Sequence, residues 1–332
     1  MKRVLLAAWL LSCGLLLAQN PFAPPPVSTF SIVARDPATG QMGVAVASRY
    51  FSVGSVVPWA EPNVGAVATQ ANVNVGYGRR ALELLRHGLT APQVIRQLLE
   101  EDTFPGKDGR QLAVVDAKGN VANYTGPNAP NWAGGVKGET WAAQGNILTG
   151  PEVPEAMGKA FDATQGELAE KLFAALKAGD AAGGDKRGRQ SASMLIVCDK
   201  CGRNINNDRW VYINVDDNPD PFAELRRLLD LNLVQNHGSR ASDLYDQGKI
   251  PEARTAIQTV LRYAPNSPGA HMSMGFYNYL AGDKAVALAE FRRARELDPD
   301  FQKRWDAMLQ FRPAAKQIVD DKDFMKQLFP EK

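Results

Sequence analysis

Residues 28–48 read STFSIVARDPATGQMGVAVAS, and this stretch decides the fold. Its β-branched and small residues predict a strand opening at Thr29, a tight turn over Pro37–Gly40 and a second strand ending at Ser48. A hydroxyl residue inside a strand is ordinary. At a chain terminus the same residue becomes a nucleophile, because its free α-amine can serve as the base. The stretch alone leaves both readings of Thr29 open.

Upstream, Lys2 and Arg3 precede an apolar run from Val4 to Ala18, followed by polar Gln19 and Asn20. That is the order of a secretory signal peptide, assigned to residues 1–18. Acylation at Cys13 is the alternative, weakened because Gly14–Leu17 continue the apolar run beyond it. The run is short for a membrane span. Residues 19–28, with NPFAPPPV at 20–27, form a proline-rich extended leader. The protein is therefore expected to be exported, to a periplasm or the exterior.

At 332 residues the chain is long for one core, so two domains are expected. A net charge of +2 gives no reason to expect nucleic acid or a membrane surface as partner.

Downstream, QLAVVD and NVANYT predict a hairpin over Gln111–Thr125, and SASMLIV with DRWVYINV a third over Ser191–Asp216. VGAVATQA, Val64–Ala71, reads as a strand. Helices are expected over Arg79–Arg86, over Ala91–Glu101 with a Thr90–Gln93 capping box, and as one long element over Glu152–Ala178. Hairpins with helices between them argue for antiparallel sheets covered by helices rather than a βαβ repeat.

The C-terminal third is an internal repeat. Gly248 recurs as Gly282, Ala253 as Ala287, Ile257 as Phe291 and Pro265 as Pro299, each 34 residues on. Thirty-four is the tetratricopeptide period, so residues 234–301 are read as two such repeats. Gly275 and Ala287 must be small for the paired helices to approach. A helix over Pro221–Val234 and the tail 302–332 are expected to cap them.

The quoted N-terminal stretch, VGAVATQA, GRQLAVVDAKG (Gly109–Gly119), QGNILTGPEV (Gln144–Val153), GDKRGRQSASMLIV (Gly184–Val197) and the closing VDDNPDPFAELRRLL (Val215–Leu229) together resemble the family catalogued as domain of unknown function 1028. The resemblance spans roughly residues 28–235. It implies the N-terminal nucleophile (Ntn) hydrolase fold, a four-layer αββα sandwich over residues 29–230, and brings no established substrate. It also implies a Thr, Ser or Cys at the start of the first strand that attacks an amide carbonyl, its own α-amine taking the proton. Thr29 is the matching position. An α-amine suits the task, with a pKa of about 7.7–8.0. The leader requires a second cut, between Ser28 and Thr29, before that amine exists.

Polar residues at strand ends are the other candidates. Ser48 and Arg49 close the second strand, and Arg49 could lower the nucleophile's pKa or hold a substrate carboxylate. Gln70 ends VGAVATQ, while Gln144 and Asn146 flank Gly145 in a loop-like turn; such amides can donate to an oxyanion. Gly-Arg-Gln occurs twice, at 109–111 and 188–190. Arg189 is weighed evenly between a substrate clamp and a structural tie, and Arg110 is read as structural, to carboxylates such as Asp185 or Asp116.

Cys198-Asp-Lys-Cys201 is a turn, disulfide-stapled or reduced, with too few ligands for structural zinc. His87 at a helix end, His237 in a linker and His271 in a repeat helix lack metal-ligand spacing. No metal or cofactor is expected. Asp216–Asp220 reads as an acidic turn capping the following helix. The chain is thus expected to be an exported amidohydrolase acting on a small amide or peptide-like C–N bond. Thr29, Arg49, Gln70 and Asn146 are its catalytic candidates, and Ser48 and Arg189 hold substrate. The repeats recruit a partner protein or a second copy, as in a homodimer. The rival from another class is a non-catalytic ligand-binding scaffold, which an unprocessed Thr29 would favour.

Overall fold

The computed structural model describes residues 29–330. The signal peptide and leader assigned to residues 1–28 lie outside the described residues.

Two antiparallel sheets form the centre. Strands β1 (Thr29–Arg35), β2 (Met42–Ser48), β7 (Ala133–Lys137), β8 (Trp141–Asn146), β9 (Ser191–Val197) and β10 (Arg209–Val215) make a six-stranded sheet in the order β10-β9-β2-β1-β8-β7. Strands β3 (Pro58–Glu61), β4 (Gly65–Ala71), β5 (Arg110–Asp116) and β6 (Val121–Thr125) make a four-stranded sheet in sequence order. Helices α1 (Gly76–Arg86) and α2 (Ala91–Glu101) cover the smaller sheet, burying Leu82, Leu85, Val94 and Leu98 against Val67, Leu112 and Val114. Helices α3 (Glu152–Ala163), α4 (Leu168–Ala181) and the first half of α5 (Pro221–Asp246) cover the larger one. The antiparallel sheets covered by helices expected from the pattern of elements are present, in the four-layer αββα arrangement that the resemblance implied.

Local chemistry explains the elements. The first hairpin turns on Asp36, whose carboxylate accepts from Ala38 N at 3.0 Å and Thr39 Oγ1 at 2.6 Å, with Gly40 at φ +73° where a Cβ is costly. The capping box forms, Thr90 N donating to Gln93 Oε1 at 2.8 Å. Asp220 accepts from Ala223 N at the start of α5, as the acidic turn requires. Cys198 and Cys201 form a disulfide across their turn.

Some elements depart from expectation. The single helix over Glu152–Ala178 is two helices, broken at residues 164–167. Phe161 and Leu168 keep helical spacing, but Gly166 takes φ +112° and Thr164 Oγ1 turns back on Ala160 O. The break frees Glu167 to face another part of the chain. The helix from Pro221 runs 26 residues, so His237 lies inside α5 rather than in a linker. Its first half packs through Leu225, Leu229 and Leu233 into the sandwich, and its second half through Ala241 into the repeats.

The repeats are helical pairs: α6 (Ile250–Tyr263) packs on α5, and α7 (Pro268–Leu280) on α8 (Lys284–Leu297). α9 (Phe301–Phe311), α10 (Lys316–Asp320) and α11 (Lys322–Leu328) close the array. Gly248 and Gly282 end equivalent helices with φ +75° and +85°. A Cβ on Gly275 would lie 2.8 Å from the Phe291 ring, so this position must be small. The sandwich and the repeats meet at Glu167, which accepts from Trp210 Nε1 (3.2 Å) and Tyr263 Oη (2.9 Å) and pairs with His237 Nε2 (3.2 Å).

Candidate functional site

The strands facing the other sheet alternate so that every second residue points into the space between sheets. At one end that layer is apolar, built from Val33, Met42, Val44, Ala66, Ala113, Val115 and Leu195. At the other end the same strand faces turn polar: Thr29 and Ser31 on β1, Ser48 on β2, Gln70 on β4, Gln111 on β5, Gln144 and Asn146 on β8, and Ser191 on β9, all buried. A buried polar layer of this size is tolerated only if its groups are hydrogen-bonded.

The register sets its centre. Thr29 pairs with Ser48 on one side and with Asn146 on the other. Thr29 Oγ1 donates to Ser48 Oγ at 3.1 Å. Gln70 crosses from the facing sheet, its Nε2 donating to Thr29 O at 3.3 Å and its Oε1 accepting from Ser31 Oγ at 2.7 Å. Four of the six residues expected at the site therefore converge. Asn146 does so from a strand, not from the loop-like turn expected around Gly145: β8 runs through Gln144, Gly145 and Asn146 between β1 and β7. Gly145 is needed there because a Cβ would lie 2.4 Å from the Leu148 side chain.

Gln111 is the residue sequence reasoning did not single out. Its Oε1 accepts from Gln70 Nε2 at 2.8 Å and from Asn146 Nδ2 at 3.1 Å. Its Nε2 donates to Gly145 O at 2.8 Å and to Thr125 Oγ1 at 2.9 Å. One amide thus fixes the orientation of two others. The signal available was a glutamine occupying the inward position of an otherwise apolar face, Gln111-x-Ala113-x-Val115.

Backbone strain falls at the same place. Ala71 and Ile147, each following a site residue, take φ +64° and +52°. A β-branched residue there is an outlier, and such positions cost of order 1–3 kcal/mol where the surroundings enforce them.

Both arginines lie at the rim. Arg49 N donates to Asp185 Oδ2 at 2.9 Å and its guanidinium to Arg187 O at 3.3 Å. Arg189 binds Asp180 through two hydrogen bonds of 2.7 and 2.9 Å, not Asp185, which holds Arg187 instead. Those bonds push the Arg189 guanidinium further up, against burial. Arg110 is structural, as read, but its partner is the buried Asp102 at 3.0 Å rather than Asp116. Tyr77 Oη also donates to Asp102, at 2.5 Å, and burial followed by this bond pushes the Tyr77 hydroxyl well up. Asp116 instead accepts from Ala91 N and Lys118 N.

Fold and site together define an αββα sandwich with a hydroxyl-headed first strand buried among amides, joined to a helical repeat array. The chain belongs to the family of unknown function DUF1028, whose sequence profile matches residues 29–225. A tetratricopeptide repeat profile matches residues 239–300. Among solved structures, a DUF1028 protein from Silicibacter pomeroyi is 33% identical, covering 61% of this chain and 84% of its own, with a TM-score of 0.55. The ancestral β-subunit Anbu from Yersinia bercovieri aligns over 62% of this chain and 95% of its own at 11% identity, with a TM-score of 0.29, too slight to carry an argument. No curated protein matches the chain.

Proposed function

We propose that the protein is an exported amidohydrolase of the Ntn type, acting on a small amide or peptide-like C–N bond. The observation that carries the reading is the register that sets Thr29 between Ser48 and Asn146, with Gln70 reaching it from the facing sheet. After a cut following Ser28, the Thr29 α-amine takes the proton of Oγ1 as the oxygen attacks the substrate carbonyl. Asn146 supplies an amide donor for the developing oxyanion, and Gln70, whose two N–H groups go to Thr29 O and Gln111 Oε1, positions Thr29. The C–N bond breaks as the ammonium returns its proton to the leaving amine, leaving an ester on Thr29. Water, activated by the same amine, hydrolyses the ester and frees the acid. Arg49 supplies positive charge at the rim, and Ser48 and Arg189 contact substrate.

Export is supported by the charged and apolar order of residues 2–18 and by the Cys198–Cys201 disulfide, which persists in oxidising compartments. The repeats serve protein–protein contact, with a partner chain or a second copy.

The test is turnover of a panel of small anilides and N-acyl amino acids by protein purified after export, with mass spectrometry of the Thr29 peptide. The reading expects an acyl adduct on Thr29 and activity lost in Thr29→Ala but kept in Thr29→Ser. Equal activity of the alanine variant, or an adduct elsewhere, would refute it.

A further inference from the structure

Beside the polar layer, on the helix-facing side of the larger sheet, the end of β2, the α4–β9 loop and the start of α5 enclose a cavity of about 140 Å³. An apolar cavity of about 150 Å³ holds benzene, so this one takes a group of roughly six to eight heavy atoms. Its floor is apolar. Phe30 and Phe222 stack there with centroids 6.4 Å apart, next to Ala47.

One wall is an ion pair of fixed geometry. Arg189 is held on its Nε edge by Asp180 and on its face by Phe222, whose ring centre is 5.6 Å away. Of a guanidinium's five N–H donors, the bonds to Asp180 take two. The Asp180 side chain is only 8% exposed, lies 3.7 Å from Lys177 Nζ and lines the cavity, as does Asp185. The first turn of the 26-residue α5, through Pro221 and Phe222, borders the same wall, its N-terminus capped by Asp220.

We propose that this cavity binds the head of a small apolar α-amino acid. The ligand carboxylate meets Arg189, the ammonium meets Asp180, and a short side chain lies on Phe30 and Phe222. A zwitterion adds no net charge beside the bonded Arg189–Asp180 pair, whereas a ligand with one charge does. The inference goes beyond the hydrolase reading and does not require Thr29 to be a nucleophile. If both hold, Ser48, which lines the cavity and accepts from Thr29 Oγ1 at 3.1 Å, links the bound head to the reacting atom.

Isothermal titration of the full-length protein with L-alanine and L-valine tests this, with L-lactate and L-alaninamide as probes lacking one charge. Both amino acids should bind with one site per chain. Each single-charge probe should bind about tenfold or more weakly, the value of one hydrogen bond to a charged group. Arg189→Met and Asp180→Asn should weaken alanine similarly. Should either fail to fold, Arg189→Lys, which keeps the charge but loses the fork, should still weaken it. No binding at millimolar amino acid, or equal binding of either single-charge probe, would overturn the proposal. Binding is read without turnover, so an inactive hydrolase leaves this test intact.

Discussion

Replacing Gln111 by leucine keeps the side-chain size and removes one amide from the centre of the buried polar layer. Asn146 Nδ2, Gly145 O and the half-buried Thr125 Oγ1 lose their Gln111 bonds, while Gln70 Nε2 keeps its 3.3 Å bond to Thr29 O. Each buried polar group left without its partner costs about 1–3 kcal/mol, so the substitution should destabilise the sandwich by about 2–6 kcal/mol. For a domain of this size that lowers Tm by roughly 5–20 °C. The assay is thermal unfolding followed by tryptophan fluorescence, with Trp141 and Trp210 in the sandwich core and Trp305 in the repeats. The fall should appear in the sandwich transition. An apolar residue of equal size is neutral or stabilising where a polar side chain merely fills space, so an unchanged or raised Tm would refute the network.

Two further outcomes follow from the contacts. Burial pushes Glu167 up, but the hydrogen bond and charge of His237, with the bonds of Tyr263 and Trp210, outweigh it and hold its carboxyl below the ordinary 4.5. A carboxyl lowered in the folded state stabilises above its unfolded pKa and loses that contribution as pH falls through the folded value. Glu167→Gln should therefore be less stable than wild type at pH 7 by about 1–3 kcal/mol, with the gap closing below pH 4.5 in a denaturation series. In the repeats, Gly275→Ala gains up to about 1 kcal/mol of helix propensity but drives a Cβ to 2.8 Å from Phe291. Overpacking costs about 1–3 kcal/mol, so the balance is destabilising, visible as an earlier Trp305 transition in urea.

Much of this was legible in the sequence because the local signals agreed with the tertiary ones. The three hairpins, the Thr90 capping box and the 34-residue repeat each carry short-range chemistry that packing reinforces. β8 was not legible as a strand: Gln144-Gly145-Asn146 has poor β propensity and is held by neighbours on both sides. The break at Gly166 was hidden because Phe161 and Leu168 keep the helical period across it, and α5 was read short because the repeat beginning at 234 continues the same helix. At the site, strand ends pointed to Thr29, Ser48 and Gln70. The register that joins them to Asn146, the bridging role of Gln111 and the choice of Asp180 by Arg189 depend on chain segments distant in sequence, which no local pattern encodes.

The central claim is that Thr29 becomes a chain terminus. Intact mass and N-terminal sequencing of the mature protein, beside Thr29→Ala, test it most directly. The account predicts a wild type that begins at Thr29 and a variant that keeps its leader. Both chains beginning near Gln19 would contradict it and leave a ligand-binding scaffold in its place.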